Sequence, residues 1–326
     1  MKSDFPNLGN AHSAPPNGWR VAGTLLALFA LLVVVSAITS IVLFRYVLPH
    51  LPPAWAETLT HRGMGKIMTR AMQVWLVVLL PLVLRFSGWR GWRDCGWRND
   101  AELMRPIWKD LLAGIVLGVA TLGSLALFMY LTGRRLASAL DPATLIPLTI
   151  AGYALSAVLV SVFEETVARG MLFRLWARAW GVVAAALFSS ILFALAHFFG
   201  PDETAFKLPG FWSAVGSLGV SVLRPDTSDA SFYIRLLNLS LLGLALCAMV
   251  RLTGNIWLAV GAHAGWVWSI KLNNFFTDAV PPPLHSRVWG ARGDLTDSVV
   301  GSATLLAVLL VVLWLIWRRE RRGTTG

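Results

Sequence analysis

The chain has 326 residues, of which 56% are hydrophobic and only 14% charged, with a formal net charge of +11. Soluble domains average about 25% charged residues, so a soluble globular protein is excluded and one membrane domain with short tails is expected. The positive charge does not point to nucleic acid, because the arginines flank apolar runs instead of lining one helix or arm, and positive-inside orientation accounts for them.

Residues 1–20 are polar, contain Pro15, Pro16 and Asn17, and read as a disordered tail. Val21–Phe44 is uncharged and too long for a signal-peptide core, so it reads as a retained first span. A second span is expected over Ile67–Phe86, with Arg70 and Arg85 snorkelling at its ends. Ser87–Asp110 carries Arg90, Arg93, Arg98, Arg105 and Lys109 and is the strongest cytoplasmic signal. Further spans follow at Leu111–Gly133, Ala143–Phe163, Gly181–Phe199, Phe232–Val250, Asn255–Ile270 and Val299–Trp317. Between the fifth and sixth, Pro201–Ser231 reads as a long outer loop whose apolar part, Leu208–Leu223, is interfacial or re-entrant. Asn273–Ser298 is a loop containing Pro281-Pro282-Pro283. The fold class is therefore an all-α polytopic bundle of about eight transmembrane helices, on the rule that a span needs ~20 apolar residues. The sixteen tryptophans, many near run ends, suit interfacial belts. The chain divides into a tail (1–20), two N-terminal spans with a basic loop (21–110), a core (111–275), and a last loop, span and basic tail (276–326). Both termini fall on the cytoplasmic side.

Chemistry concentrates at Ser161-Val-Phe-Glu-Glu-Thr-Val-Ala-Arg169, at the end of the fourth span. Ionisable groups in a hydrocarbon-like segment are costly, so a functional role is the default expectation. Glu165 and Arg169 are i,i+4 neighbours in the favourable order, while Glu164 points about 100° away from Glu165. One acid is thus paired and the other left to face something else. The helix carrying Glu164 runs on to a turn at Trp180-Gly181. In an antiparallel hairpin about that turn, Glu164 and His197 lie at equal depth, each roughly 25 Å along its helix at 1.5 Å per residue. The next hairpin turns at Thr253-Gly254, with His263 roughly 15 Å beyond it. One glutamate and two histidines therefore converge inside the bundle. Geometry leaves a catalytic centre and a transporter's proton relay both open, although a transporter spreads polar residues over more spans. Cys95 and Cys247 have no metal-site spacing.

Three short motifs on membrane helices supply a resemblance. Glu164-Glu165-x-x-x-Arg169, Phe193-Ala-Leu-Ala-His197 and Gly261-Ala-His263-Ala-Gly-Trp, the last entered through Gly254-Asn255-Ile256-Trp257, resemble the three motifs of the CPBP intramembrane protease family. That family includes type II CAAX prenyl endopeptidases and bacteriocin-processing or immunity (ABI-like) proteins. The likeness covers roughly residues 110–275. Val267 departs from it, standing where the family has Asn or Asp four residues after the third-motif histidine.

The resemblance implies an intramembrane endopeptidase acting on a membrane-associated protein or peptide in the bilayer, with no nucleic-acid partner. Glu164 would activate water, His197 would position that water or Glu164, and His263 would stabilise the oxyanion. Glu165, Arg169 and Phe193 would support them. The alternative version of the family mechanism makes Glu164, His197 and His263 the ligands of a zinc ion, an acceptable catalytic set with an open position; the metal-free version is slightly preferred. A non-catalytic or degenerate member and a proton-coupled transporter remain the rival classes. The absence of retention signals suggests a bacterial inner membrane.

Overall fold

The computed structural model describes residues 18–53, 56–57, 67–68, 70–79, 85, 95–97, 106–140, 145–198, 211–212, 230–280, 286–290 and 295–323. They form an all-α membrane helical bundle in two compact units: Pro15–Arg90 with Leu195–Asp226, and Met1–Ala14 with Gly91–Ala194 and Thr227–Gly326.

In the smaller unit, α1 (Gly18–Val42) continues through a π-helical turn, Leu43–Val47, and a short 3₁₀ turn, Leu48–His50. It packs beside α2 (Arg70–Leu79). The Trp75 indole N–H donates to Thr39 Oγ1 at 2.9 Å, and Thr39 passes its own hydrogen back to the Val35 carbonyl at 2.7 Å. Such side-chain bonding keeps polar groups satisfied within an apolar pair of helices. Ala37 and Met68 are fully buried, with Val33, Phe44, Met72 and Phe211 packed around them.

The larger unit holds α3 (Ile107–Gly118), a π-helical turn (Val119–Gly123), α4 (Ser124–Leu131), β1 (Arg135–Ala137), α5 (Ile146–Glu165), a π-helical stretch (Thr166–Phe173), α6 (Arg174–Trp180) and α7 (Val182–Ala196), the last as far as Ala194. After the second unit's insertion come α8 (Ala230–Thr253), α9 (Trp257–Phe276), β2 (Thr277–Ala279), α10 (Ser286–Trp289) and α11 (Val299–Gly323). Pro147 sits in the first turn of α5, where its missing N–H costs nothing. Gly181 (φ 83°) and Gly254 (φ 75°) end their helices with a positive φ, which glycine adopts freely, their N–H groups returning to Ala177 and Val250. Both expected turns are therefore present.

The larger unit is organised on a glycine seam. Gly114 and Gly118 of α3 face Gly261 and Gly265 of α9 at such close range that a Cβ on Gly261 would lie 2.1 Å from the Leu111 carbonyl oxygen. One on Gly118 would lie 2.4 Å from the Ala262 carbonyl oxygen. Small residues four apart let helix backbones touch where no hydrophobic effect drives them together. Beside the seam, Asn255 donates from Nδ2 to the buried Asp110 carboxylate at 2.9 Å and accepts the Trp257 N–H at 2.9 Å. This fixes the start of α9 against the start of α3. At the opposite end, β1 pairs antiparallel with β2, Leu136 opposite Asp278. There Arg135 is buried and donates to the Thr277 carbonyl at 2.6 Å. In α8, Asn238 donates to the carbonyls of Thr296 and Ser298, tying that helix to the start of α11.

Among the described residues, five helical stretches are long and apolar enough to cross a membrane: Leu26–His50, Ile107–Leu131, Ile146–Trp180, Ala230–Thr253 and Val299–Arg322. Arg70–Leu79 and Val182–Ala196 are apolar but shorter. The count of eight is thus not reproduced among the described residues. The fourth expected span is longer than its apolar run, continuing through the charged residues to Trp180. Helix α1 starts at Gly18, and residues 1–17 of the expected tail lie outside the described residues. Most of the expected outer loop, the Leu208–Leu223 stretch apart from Phe211 and Trp212, and Pro281–Pro283 lie outside the described residues.

The seam predicts a contrast between glycines. Gly261→Ala and Gly118→Ala force a methyl group onto backbone and should each cost about 1–3 kcal/mol or more. Gly152, on the same kind of helix but with nothing within 4 Å, should tolerate alanine with unchanged or raised stability. Thermal unfolding of the purified variants in detergent checks this.

Candidate active site

The site is built in the larger unit where α5 gives way to the π-helical stretch, and α9 and α7 pack against it. Glu165, the last residue of α5, is fully buried and takes the Arg169 guanidinium at 3.0 Å. The same carboxylate oxygen, Oε1, lies 2.8 Å from His263 Nδ1. Because a carboxylate facing a guanidinium is an acceptor, Nδ1 carries the hydrogen in this bond. That assignment leaves Nε2 as the working face of the ring, held in orientation as a carboxylate holds imidazole in many sites. Nε2 faces Glu164 Oε2 at 3.9 Å. That gap is too long for a direct hydrogen bond. Glu164 keeps 28% of its side chain exposed, whereas His263 keeps 6% and Arg169 none.

Phe193 of α7 closes the back of the site. The Arg169 guanidinium carbon lies 4.2 Å from its ring centroid, and its ring meets His263 edge-on at 6.0 Å. A desolvated cation over an aromatic face is stabilised by the ring quadrupole. The Ser189 hydroxyl donates to the Ala168 carbonyl at 3.3 Å and pins α7 to the π-helical stretch. On α9, Trp266 is buried and donates to Thr121 Oγ1 at 2.8 Å, fixing the turn that follows His263.

Glu164, Glu165, Arg169, Phe193 and His263, all singled out from the sequence, are thus brought together. One relation differs from expectation. Glu165 serves Arg169 and His263 at once, so it orients the histidine as well as neutralising the arginine. His197 occupies the turn after α7, is exposed, and belongs to the smaller unit. Val267, half-buried on α9, places an aliphatic group one turn beyond His263.

Sequence reasoning missed the contribution of residues 95–97. There the Trp97 indole donates to Thr166 Oγ1 at 3.0 Å and meets Trp257 edge-on at 5.2 Å. The Gly96 carbonyl accepts the Ile256 N–H at 3.2 Å. Gly170 is required opposite, since a Cβ there would lie 2.7 Å from the Cys95 carbonyl oxygen. A signal existed in Trp97, an aromatic amid arginines. Among the described residues, no group of three or more His, Cys, Asp or Glu side chains is gathered closely enough to hold a metal ion.

Residues 144–269 match the family model described as type II CAAX prenyl endopeptidase Rce1-like. The match is consistent with a CPBP family intramembrane protease. No significant match was found among curated proteins or among solved structures. The Rce1-like stretch spans α5 to most of α9 and contains Glu164, Glu165, Arg169, Phe193, His197 and His263. With the apolar helices, this match supports an integral membrane protein.

The buried Arg169–Glu165 pair predicts non-additive energetics. Arg169→Leu or Glu165→Leu alone strands a charge in the bundle and should cost about 3–5 kcal/mol. The double replacement should cost clearly less than their sum, as a double-mutant cycle on thermal or denaturant unfolding would show.

Proposed function

We propose that the protein is an intramembrane endopeptidase that hydrolyses a peptide bond of a membrane-associated protein, with Glu164 as general base. The observation that carries this reading is the facing of Glu164 Oε2 and His263 Nε2 at 3.9 Å, with the far side of the ring fixed by Glu165. A water held between them gives its proton to Glu164 as its oxygen attacks the peptide carbonyl carbon. The carbonyl π pair moves to oxygen, and His263, protonated on both ring nitrogens and backed by Glu165, hydrogen-bonds that oxyanion through Nε2–H and keeps its proton throughout. Collapse expels the amine, which takes the proton from Glu164. His197 is assigned to positioning the water or Glu164, as its motif resemblance implies. Arg169 balances Glu165, so that charge changes during the reaction fall on Glu164 and the carbonyl oxygen.

Val267 supplies no hydrogen bond beside His263. Removing one oxyanion donor typically slows a reaction by about 10²–10³ without abolishing it, so this departure lowers the rate expected and leaves the mechanism intact. The zinc version would draw on Glu164, His197 and His263. We prefer the metal-free version slightly, because no cysteine or further acid in these motifs completes a tighter cage. Both termini are placed on the cytoplasmic side, on the basic clusters after α2 and at the end of α11, and a bacterial inner membrane is the proposed location.

The test is proteolysis of a panel of membrane-proximal peptides by the full chain in detergent or proteoliposomes. Glu164→Gln should reduce kcat by about 10²–10⁴, the usual contribution of a positioned base. His263→Ala should lose about 10²–10³. Cleavage shared equally by wild type, Glu164→Gln and His197→Ala would end the enzyme reading in favour of a non-catalytic member or a proton-coupled transporter. Metal content of the same sample separates the two mechanisms: stoichiometric zinc that disappears in His263→Ala overturns the metal-free version.

A further inference from the structure

Helix α11 packs on α8 along one stripe, and its opposite face is charged where the helix ends. Leu305, Val308, Val312 and Ile316 are buried. At about 100° per residue that stripe continues to Arg319 and Glu320, and both meet the end of α8. Arg319 donates to the Leu252 carbonyl, and Glu320 takes the Arg251 guanidinium at 2.8 Å. Cations beside the last carbonyls of a helix are favourable. Leu310, Val311, Trp314, Trp317, Arg318 and Arg321 turn the other way, and all are exposed. On that face each guanidinium lies over the indole one turn before it. The Arg318 guanidinium carbon is 4.6 Å from the Trp314 ring centroid, and that of Arg321 is 4.1 Å from the Trp317 centroid.

Tryptophan settles at the membrane–water interface, and α11 is long and apolar enough to span. Trp314 and Trp317 therefore set the two arginines at headgroup level, with Leu310 and Val311 one turn deeper, among acyl chains. Stacking uses the flat face of a guanidinium, whereas its N–H donors lie around the edge. That edge matches phosphate oxygens in pairs. Over residues 318–322 four arginines accompany one acid, and that acid is paired with a fifth arginine, Arg251. The surplus positive charge favours a headgroup of net negative charge over a zwitterionic one. We propose that Arg318 and Arg321, each held by its tryptophan, form a phosphate-binding clamp for an anionic phospholipid whose acyl chains lie along Leu310, Val311 and Trp314. The indoles hold the guanidiniums in place beforehand, so little side-chain freedom is lost on binding. The clamp does not rest on the peptidase reading.

Native mass spectrometry of the full chain in detergent tests the clamp, with dioleoyl phosphatidylglycerol and dioleoyl phosphatidylcholine titrated as probes. A basic residue at the surface is worth roughly fivefold in affinity for anionic lipid. Two should give phosphatidylglycerol a preference of about ten- to thirtyfold by the same rule. Arg318→Gln/Arg321→Gln should lower that preference about tenfold with phosphatidylcholine binding unchanged. The single variants, each expected to lose about three- to fivefold, serve should the double variant unfold in a thermal scan. Trp314→Leu/Trp317→Leu keeps every charge and should still lower the preference about threefold through lost stacking. Arg70→Gln/Arg134→Gln removes two charges elsewhere and should leave it intact. Equal binding of the two lipids, or a preference that survives loss of Arg318 and Arg321, overturns the clamp. So does an equal loss with Arg70→Gln/Arg134→Gln, which would reduce the effect to net charge, or no change on losing the tryptophans. Soluble glycerol phosphate should not displace the bound lipid; displacement at matched concentration overturns the assignment to a lipid.

Discussion

The contact of α3 and α9 through four glycines is the constraint on which the rest of the larger unit depends. Within hydrocarbon, helices gain nothing by hiding apolar side chains from one another, and association must come from close packing and hydrogen bonds. With Gly261 against the Leu111 carbonyl and Gly265 near Gly118, the axis of α9 has one position. His263 lies between those two glycines in sequence, on a helix that cannot slide without backbone overlap. The bond between Asn255 and Asp110 fixes the same helix at its start. The ring therefore arrives at α5 with its depth and rotation already set.

What α5 supplies in return is charge, arranged to be tolerable. Arg169 is wholly buried, which is affordable because Glu165 and the face of Phe193 both neutralise or cradle the guanidinium. Glu165 is in turn buried against His263. The chain Arg169–Glu165–His263 stands beside the more exposed Glu164. Electrostatic preorganisation of this sort is worth most where water is scarce and dipoles need not reorganise.

Much of this was legible in the sequence, for a simple reason: charged side chains in apolar runs stand out. Glu164, Glu165, Arg169 and His263 were found that way, and the turns at Gly181 and Gly254 followed from glycine after helical runs. The seam was not found, because reading spans by hydropathy ignores spacing, although Gly114 and Gly118 repeat the four-residue interval of Gly261 and Gly265. Trp97 was hidden among arginines read only as an orientation signal. Arg135, just beyond the end of the expected Leu111–Gly133 span, is buried by a two-strand pairing that no local pattern announces. The number of spans suffered from the same limit, since α7 is short and α9 carries its polar residues inside.

The π-helical stretch Thr166–Phe173 begins at the residue after Glu165. A turn closed by i→i+5 bonds holds one residue more than an α-helical turn, so everything downstream is rotated relative to an uninterrupted helix. Gly170 reaches the Cys95 backbone and Arg174 reaches the Gly254 carbonyl at 2.7 Å from that rotated frame. The stretch works as a phase shifter between two helical segments with different obligations, one to the charged centre and one to the loop and hairpin at its mouth. In lineages of such chains, a one-residue insertion or deletion here is therefore no neutral length change: it re-aims α6 while leaving Glu164 and Glu165 where they are.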